Sequence, residues 1–269
     1  MARYATILGT GHYLPENEIT NATFAEWMGA VSPKLAEVVG KFEASSGIKT
    51  RFYAPDDWAT SDLAVEAGKK ALEDAGITPD QVDLVILGTD SPDYITPATS
   101  VVVQHKLGCV NAGTWDVGCA CASFPTALAQ AAGMIATNPN LKYILVIGSY
   151  MMHKLADVKH DITAFFYGDG AGAAVVGVSD KPGFVSCSIK ADGSYHKHWG
   201  IYSGGTYEPA TVESVEAGRT KVKLLTPFPP TVNHEGWPAR ARECAANGGF
   251  KIEDVDFVIF TQVNVNSIK

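Results

Sequence analysis

Short apolar runs alternate along the chain with longer segments in which apolar residues recur at helical spacing. The short runs are typical of buried strands and the longer segments of helices that cover a sheet. The pattern therefore predicts an α/β protein whose strands are largely buried. Strands are predicted at 4–9, 48–53 (a strand or an extended loop), 82–88, 113–117, 143–148 and 172–178. Helices are predicted at 20–28, 33–42, 62–75, 97–107 and 124–136.

One pattern of helix, glycine, acidic turn and buried strand occurs twice, at 67–90 and at 241–264. Two such units favour a duplicated fold, although similar units also recur in unrelated α/β chains. The second copy predicts a strand at 255–260, equivalent to the strand at 82–87. We therefore expect two halves, 1–180 and 181–269. Few residues follow the second strand, so the second half is expected to be truncated; a complete protein with a shortened second half is the alternative.

Composition excludes several classes of function. The chain has 269 residues, 46% of them hydrophobic, and a net charge of −8, so it offers no basic face for nucleic acid. The longest apolar run, around 143–148, is far shorter than the roughly 20 residues that span a bilayer. The N-terminus has no signal-peptide pattern. Five cysteines without framework spacing indicate a reducing compartment, and a cytoplasmic location is expected.

The strongest indication of chemistry is Cys121, in the segment DVGCACASFP at 116–125. Small residues lead there from a predicted strand into a predicted helix. The backbone N–H groups and the positive dipole end at a helix start favour a negatively charged sulfur, the form that attacks a carbonyl carbon. Cys121 is therefore a candidate acyl-accepting nucleophile. The alternative is that it is a small buried hydrophobe, as free cysteine commonly is.

Cys119 and Cys121 form a C-x-C pair, which raises the question of a metal site. Structural zinc sites usually have two spaced pairs of cysteine or histidine, and no second pair lies nearby. No metal is therefore predicted.

Five motifs follow one another along the chain: ILGTGHYLP at 7–15, SGIKTR at 46–51, CASF at 121–124, YGDGAGAAV at 167–175 and ADGSY at 191–195. In sequence and order they resemble motifs of ketoacyl-acyl carrier protein synthase III, in the thiolase superfamily. The resemblance covers nearly the whole chain. It implies a thiolase-like five-layered αβαβα fold with duplicated halves, a homodimer, and a cysteine that takes an acyl group from a coenzyme A thioester.

The sequence departs from this family at a second catalytic position. The family has a His-Gln-Ala-Asn pattern after the strand of the second half, and the corresponding run here is Thr261-Gln-Val-Asn264. The resemblance implies that the family's histidine hydrogen-bonds the enolate oxygen that develops during decarboxylation. Thr261 at that position is neutral and shorter. The resemblance also marks Asn264 and Phe166 as candidate substrate-binding residues.

Two hypotheses for function remain. In the first, Cys121 accepts an acyl group from acyl-CoA, or from an acyl carrier protein, in a condensing enzyme or an acyltransferase. Acyl-CoA is then a substrate and no cofactor is needed. In the second, the chain is a catalytically degenerate partner subunit that acts through dimerisation. Thr261 favours the second hypothesis, and an intact Cys121 favours the first.

Overall fold

The computed structural model describes residues 3–263 and 265, and these form two compact units that interleave along the chain. Of the described residues, the first unit contains 3–17, 54–151 and 169–186, and the second contains 18–53, 152–168, 187–263 and 265. These units are defined by contacts within the folded chain, not by the repeat in the sequence. The division of the chain into halves at residue 180 stays a prediction.

The strands and helices in chain order are as follows. The strands are β1 Tyr4–Tyr13, β2 Asn17–Thr20, β3 Thr50–Tyr53, β4 Leu84–Gly88, β5 Gly113–Val117, β6 Tyr143–Met151, β7 Asp169–Ser179, β8 Trp199–Gly200 and β9 Lys223–Leu224. The helices are α1 Asn21–Val31, α2 Pro33–Ala36, α3 Val38–Ser46, α4 Thr60–Ala75, α5 Thr99–Leu107, α6 Ser123–Thr137, α7 Val212–Glu216, α8 Thr231–His234 and α9 Gly236–Gly248. None of these helices is long and apolar enough to cross a membrane.

The first unit is built on a five-stranded sheet in the order β1-β7-β6-β4-β5. Strand β4 lies parallel to β5 and β6, and β7 lies antiparallel to β6 and β1. Alternate residues of β4 point to opposite faces: Val85 and Leu87 pack with α4 and α5, and Leu84 and Ile86 pack with α6. Helices therefore cover both faces, which explains why every residue of β4 is buried.

The elements predicted for this unit are confirmed, with small changes at their ends. Strand β5 has the predicted bounds, while β6 and β7 extend three residues beyond theirs at one end. The unit forms three layers, αβα. An α/β architecture with buried strands is thus what the structure shows.

The second unit has a smaller core of its own. Strands β2 and β3 pair, and α1 and α3 contribute apolar side chains to a cluster centred on Phe24, Met28 and Phe165. The helix predicted at 33–42 is two helices, α2 and α3, separated by Glu37.

The strand predicted at 255–260 is wrong. These six residues adopt no strand conformation and all are exposed, with Phe257 at 80% and Ile259 at 82%. A strand needs neighbours for its backbone hydrogen bonds and its apolar side chains, and in the described part of the chain this segment has no paired strand. Among the described residues from 181 onwards, the strands that pair are β8 and β9 alone, so the large second sheet of the five-layered arrangement is not formed there.

The rest of the second copy does match the first. Helix α4 ends at Gly76, where the N–H of Ile77 donates to the carbonyl of Leu72 at 3.0 Å. Helix α9 ends at Gly249 in the same way, with the N–H of Phe250 donating to a carbonyl in the last turn at 3.1 Å. A short 3₁₀ turn then follows in each copy, at Pro79–Gln81 and Ile252–Asp254.

Candidate active site at the start of α6

Cys121 lies at the carboxyl edge of the parallel strands. Strands β4, β5 and β6 run in the same direction, and Gly88 of β4 pairs with Val117 of β5 and Gly148 of β6. A 3₁₀ turn, Ala120–Ala122, follows β5 and leads directly into α6. Ligands of open α/β sheets commonly bind beyond this edge. Cys121 is exposed there, as a nucleophile must be, and is not the buried hydrophobe of the alternative interpretation.

The chain reverses sharply at the residue before Cys121. Ala120 has a φ of +51°, in the left-handed region that residues with a Cβ rarely adopt. The N–H of Ala122 donates to the carbonyl of Cys119 at 3.1 Å, which closes the turn. Placing alanine in this conformation costs about 1 kcal/mol or more. Strained backbone of this kind is concentrated at functional sites, and a tight strand-to-helix turn is a known way to expose a nucleophile.

Two side chains hold the turn in place. The hydroxyl of Ser123 accepts a hydrogen bond from the N–H of Cys119 at 2.9 Å, and the carboxylate of Asp90 accepts one from the N–H of Ala120 at 3.2 Å. Ser123 is buried against the end of β4. A Cβ at Gly88 would lie 2.9 Å from the Cβ of Ser123, so only glycine allows α6 to begin so close to this strand.

Asp90 is a residue of the site that sequence reasoning missed. Burial raises the pKa of its carboxyl group, and the hydrogen bond from Ala120 opposes that rise. A polar residue directly after a buried strand, at the carboxyl edge of a parallel sheet, is the sequence signal that points to it.

Buried hydroxyl groups fix the loop that carries Asp90. The hydroxyl of Ser91 forms hydrogen bonds with the hydroxyls of Thr60, at 3.1 Å, and Thr89, at 3.3 Å. It also accepts a hydrogen bond from the N–H of Met151 at 2.8 Å. The hydroxyl of Ser149 donates to the carbonyl of Thr60 at 2.9 Å. Because buried, mutually bonded groups have few alternative positions, this network gives the loop a defined geometry.

The other predicted site residues lie in the second unit. Phe166 ends the 3₁₀ turn Ile162–Phe166, where its ring packs 4.8 Å from Phe42 and 5.2 Å from Phe165. Thr261 is partly buried, in no regular element, at the end of the exposed 255–260 segment. Asn264 lies outside the described residues. The roles assigned to Phe166, Thr261 and Asn264 stay predictions.

Arg51, in the SGIKTR motif, is a structural residue of the second unit. Its guanidinium lies 4.8 Å from the ring of Phe24 and 4.4 Å from the ring of Phe165, and it donates to the carbonyls of Ile19 and Phe165 at 3.3 and 3.2 Å. It therefore fixes the turn that ends at Phe166. Burial lowers the pKa of Arg51.

Metal-ligating side chains do not gather at the site. Across residues 3–263 and 265, no three of the His, Cys, Asp and Glu side chains converge in a way that would hold an ion. The expectation that the reaction uses no cofactor stays a prediction.

A family model matches part of the chain. Residues 115–193, which include the turn at Cys121, match the family described as 3-oxoacyl-[acyl-carrier-protein (ACP)] synthase III.

Solved structures of such synthases resemble the whole chain. Two of them are 3-oxoacyl-[acyl-carrier-protein] synthase III from Aquifex aeolicus (26% identity, TM-score 0.78) and β-ketoacyl-[acyl carrier protein] synthase III from Thermus thermophilus (28%, 0.83). Each match covers 98% of this chain and 78% of the other. A priming β-ketosynthase from the R1128 polyketide biosynthetic pathway matches at 28% identity and a TM-score of 0.80. This match covers 99% of this chain and 77% of the ketosynthase chain.

The thiolase-like α/β fold implied by the five motifs is therefore confirmed. The similarity supports a transferase of the condensing-enzyme type, of the kind used in fatty acid or polyketide biosynthesis. In sequence over residues 115–193, and in structure over nearly its whole length, the chain is thus similar to 3-oxoacyl-[acyl-carrier-protein] synthase III.

Proposed function

We propose that the protein transfers acyl groups from an acyl-CoA or acyl-carrier thioester by way of an acyl-enzyme at Cys121. The observation that carries the proposal is the exposed Cys121 on a strained turn directly before α6. The Cys121 sulfur, as a thiolate, attacks the thioester carbonyl carbon. The tetrahedral intermediate then collapses, the donor thiolate leaves, and a new thioester joins the acyl group to Cys121.

The start of α6 is suited to stabilise the charge that develops in this step. Helix α6 is 15 residues long, and its N-terminal dipole end lies next to Cys121. In this mechanism the backbone N–H of Cys121 donates to the carbonyl oxygen as it becomes negative. One such donor is typically worth about 10²–10³ in rate.

The second step, in which the acyl group leaves Cys121, depends on the side chain at position 261, which is a threonine. In the condensing reaction a carbanion from a malonyl thioester, formed by loss of CO₂, attacks the acyl-enzyme. The oxygen of its enolate form then needs a hydrogen-bond donor. A threonine hydroxyl supplies one neutral donor and cannot shuttle protons near neutral pH as histidine does. We therefore propose an altered second step, either condensation with a modified site or transfer of the acyl group to an alcohol or amine.

The first step is tested by intact-protein mass spectrometry after incubation with short, long and aromatic acyl-CoA thioesters. We expect the mass to increase by one acyl group for at least one donor. The Cys121→Ser variant should show no increase, and Cys187→Ser, which removes another exposed thiol, should behave as the wild type. An adduct that persists in Cys121→Ser contradicts the proposal.

The second step is tested with Thr261→His. If the missing imidazole limits condensation, this variant should release CO₂ from a malonyl thioester faster than the wild type does. An unchanged rate would show that condensation is not limited by this side chain and would favour transfer to oxygen or nitrogen.

A partner subunit without catalytic activity is the second candidate, and Thr261 in place of histidine is the observation that favours it. A folded protein that forms no adduct with any donor, yet binds an active synthase, would support this candidate. A homodimer and a cytoplasmic location belong to the catalytic proposal. The odd number of cysteines, without framework spacing, supports a reducing compartment.

A further inference from the structure

Two exposed thiols lie on the turn before α6, and the proposed acyl transfer uses only one of them. Cys119 and Cys121 flank Ala120, and both are exposed. Cys119 is also held in place, because its N–H donates to Ser123 and its carbonyl accepts from Ala122. The second thiol is thus presented at the reactive position by the same hydrogen bonds that shape the turn.

The closed turn limits how far apart the Cα atoms of the two cysteines can lie. Consecutive Cα atoms are about 3.8 Å apart, so Cα atoms two residues apart in a closed turn are separated by roughly 5 to 6 Å. Disulfides form when this separation is about 4.4–6.8 Å. The left-handed Ala120 and the 3.1 Å hydrogen bond from Ala122 to Cys119 define such a turn.

The environment of the Cys119 sulfur does not oppose this pairing. Its Sγ lies 3.6 Å from the hydroxyl of Thr126, in the first turns of α6. A thiol is a weak donor, so this contact costs little to break when the side chain rotates.

Cys109, the third cysteine of the first unit, makes a poor partner for Cys121. Cys109 is completely buried, and burial raises the pKa of its thiol to about 11, which keeps it unreactive near neutral pH. Within the first unit, Cys119 is the neighbour that a reactive Cys121 would meet.

We propose that Cys119 and Cys121 are a redox pair that forms a reversible disulfide and so blocks the nucleophile. With hydrogen peroxide as oxidant, the Cys121 thiolate attacks one peroxide oxygen, giving a sulfenic acid and hydroxide. The Cys119 thiolate then attacks the Cys121 sulfur, the S–S bond forms and hydroxide leaves. The two sulfurs lose two electrons in total, the two thiol protons neutralise the two hydroxides, and two waters result. A dithiol such as dithiothreitol reverses the reaction.

Thiol counting tests the disulfide without reference to acyl transfer. The protein is treated with one equivalent of peroxide, denatured and labelled with N-ethylmaleimide, and its mass is measured. The chain has five cysteines, so the reduced protein should take five labels and the oxidised protein two fewer, as a monomer on a non-reducing gel. Cys119→Ser should not lose two labels, whereas the matched control Cys187→Ser should still lose two.

Loss of two labels in Cys119→Ser, or a disulfide-linked dimer in the wild type, would overturn the proposal. Because Cys119 is exposed, its replacement by Ser or Ala should leave the fold intact, which circular dichroism checks. The inference that the disulfide stops acyl transfer rests on the proposed function. The inference that the disulfide forms does not. Acylation by the reduced but not the oxidised wild type supports it, and equal acylation of both contradicts it. A disulfide in a protein that no donor acylates would reject only the proposed function.

Discussion

The two copies of the repeated unit, 67–90 and 241–264, share their local structure and differ in what surrounds them. In each, a helix ends at a glycine in the left-handed conformation, with a φ of 65° at Gly76 and 71° at Gly249. In each, a 3₁₀ turn follows. The first copy then continues into β4, which is paired on both sides and buried on both faces. The second continues into the 255–260 segment, which is exposed along its whole length.

The comparison shows which parts of the unit local sequence determines. Helix, glycine stop and turn depend on contacts within a few residues, and they form in both copies. The strand depends on partners distant in sequence, and it forms only in the first. Helix α4 accordingly buries nine residues, whereas the described part of α9 buries only Ala245.

We expect the largest difference in stability between alanine variants of two isoleucines that occupy equivalent positions in the two copies. Ile86, in the middle of β4, is fully buried, and Ile259 is exposed. Ile86→Ala should lower the free energy of unfolding by about 2–5 kcal/mol, because it removes buried methyl groups and leaves a cavity. Ile259→Ala should change it by less than about 0.5 kcal/mol. Urea denaturation followed by circular dichroism measures both.

Similar losses in the two variants would contradict this comparison. They would mean that the 255–260 segment is buried in solution, in contact with something that the structure does not show. Repeating the Ile259→Ala measurement over a range of protein concentrations identifies a second copy of the chain as that contact, because the loss should then depend on concentration.

The difference between the copies also explains how much of the fold the sequence could predict. The buried runs at 84–88 and 144–148 identify central strands because their apolar residues have no polar alternation. The run at 255–260 has the same composition, so composition alone predicts the same structure for it. Whether neighbours are present is not encoded within the run, which is why the prediction of a strand there is wrong.

We expect a smaller difference in stability between alanine variants of Asp83, directly before β4, and of the aspartate at the equivalent position of the second copy. The Asp83 carboxylate accepts from the backbone N–H groups of Lys142 and Tyr143, at 2.6 and 2.9 Å, and so ties β4 to the start of β6. Its equivalent, Asp256, is exposed. Asp83→Ala should cost about 1–3 kcal/mol of unfolding free energy and Asp256→Ala close to nothing. Equal costs, measured by the same denaturation, would show that Asp256 has an equivalent backbone partner.

The two glycine stops should respond alike, since they belong to the shared local structure. A Cβ at Gly76 or Gly249 would meet no other atom within 4 Å, so strain in the left-handed backbone is the main cost of alanine there. Gly76→Ala and Gly249→Ala should each destabilise the end of their helix by roughly 1 kcal/mol. Hydrogen exchange of the amides in the last turns of α4 and α9 measures this locally. A clear difference between the two helices would mean that the stops are not equivalent.

We expect the smallest difference in stability at Asp90, where it should appear as a dependence on pH. The equivalent residue in the second copy is the exposed Val263. Burial raises the pKa of Asp90 in the folded protein above its unfolded value. The folded state therefore holds this proton more tightly, and the contribution of Asp90 to stability is lost as the pH rises through its folded pKa. Asp90→Asn should gain stability relative to the wild type as the pH is raised from about 4 to 7. A difference that does not change with pH would contradict the raised pKa.

The candidate site was predictable in part. A cysteine between small residues at a strand-to-helix junction identified Cys121, because that position depends on local sequence. The roles of Ser123 and Asp90 depend on how closely α6 approaches the end of β4, which the sequence indicates only through Gly88. Arginine is mostly exposed in proteins, and only the tertiary packing shows Arg51 buried between two phenylalanine rings.

In the proposed reaction Cys121, and not its neighbour Cys119, carries the acyl group. After incubation with the acyl-CoA that labels the protein best, the wild type, Cys119→Ser and Cys121→Ser are digested, and tandem mass spectrometry locates the adduct. We expect an acyl thioester on Cys121 in the wild type and in Cys119→Ser, and none in Cys121→Ser. An adduct on Cys119 in the wild type, or full labelling of Cys121→Ser, would contradict the proposed reaction.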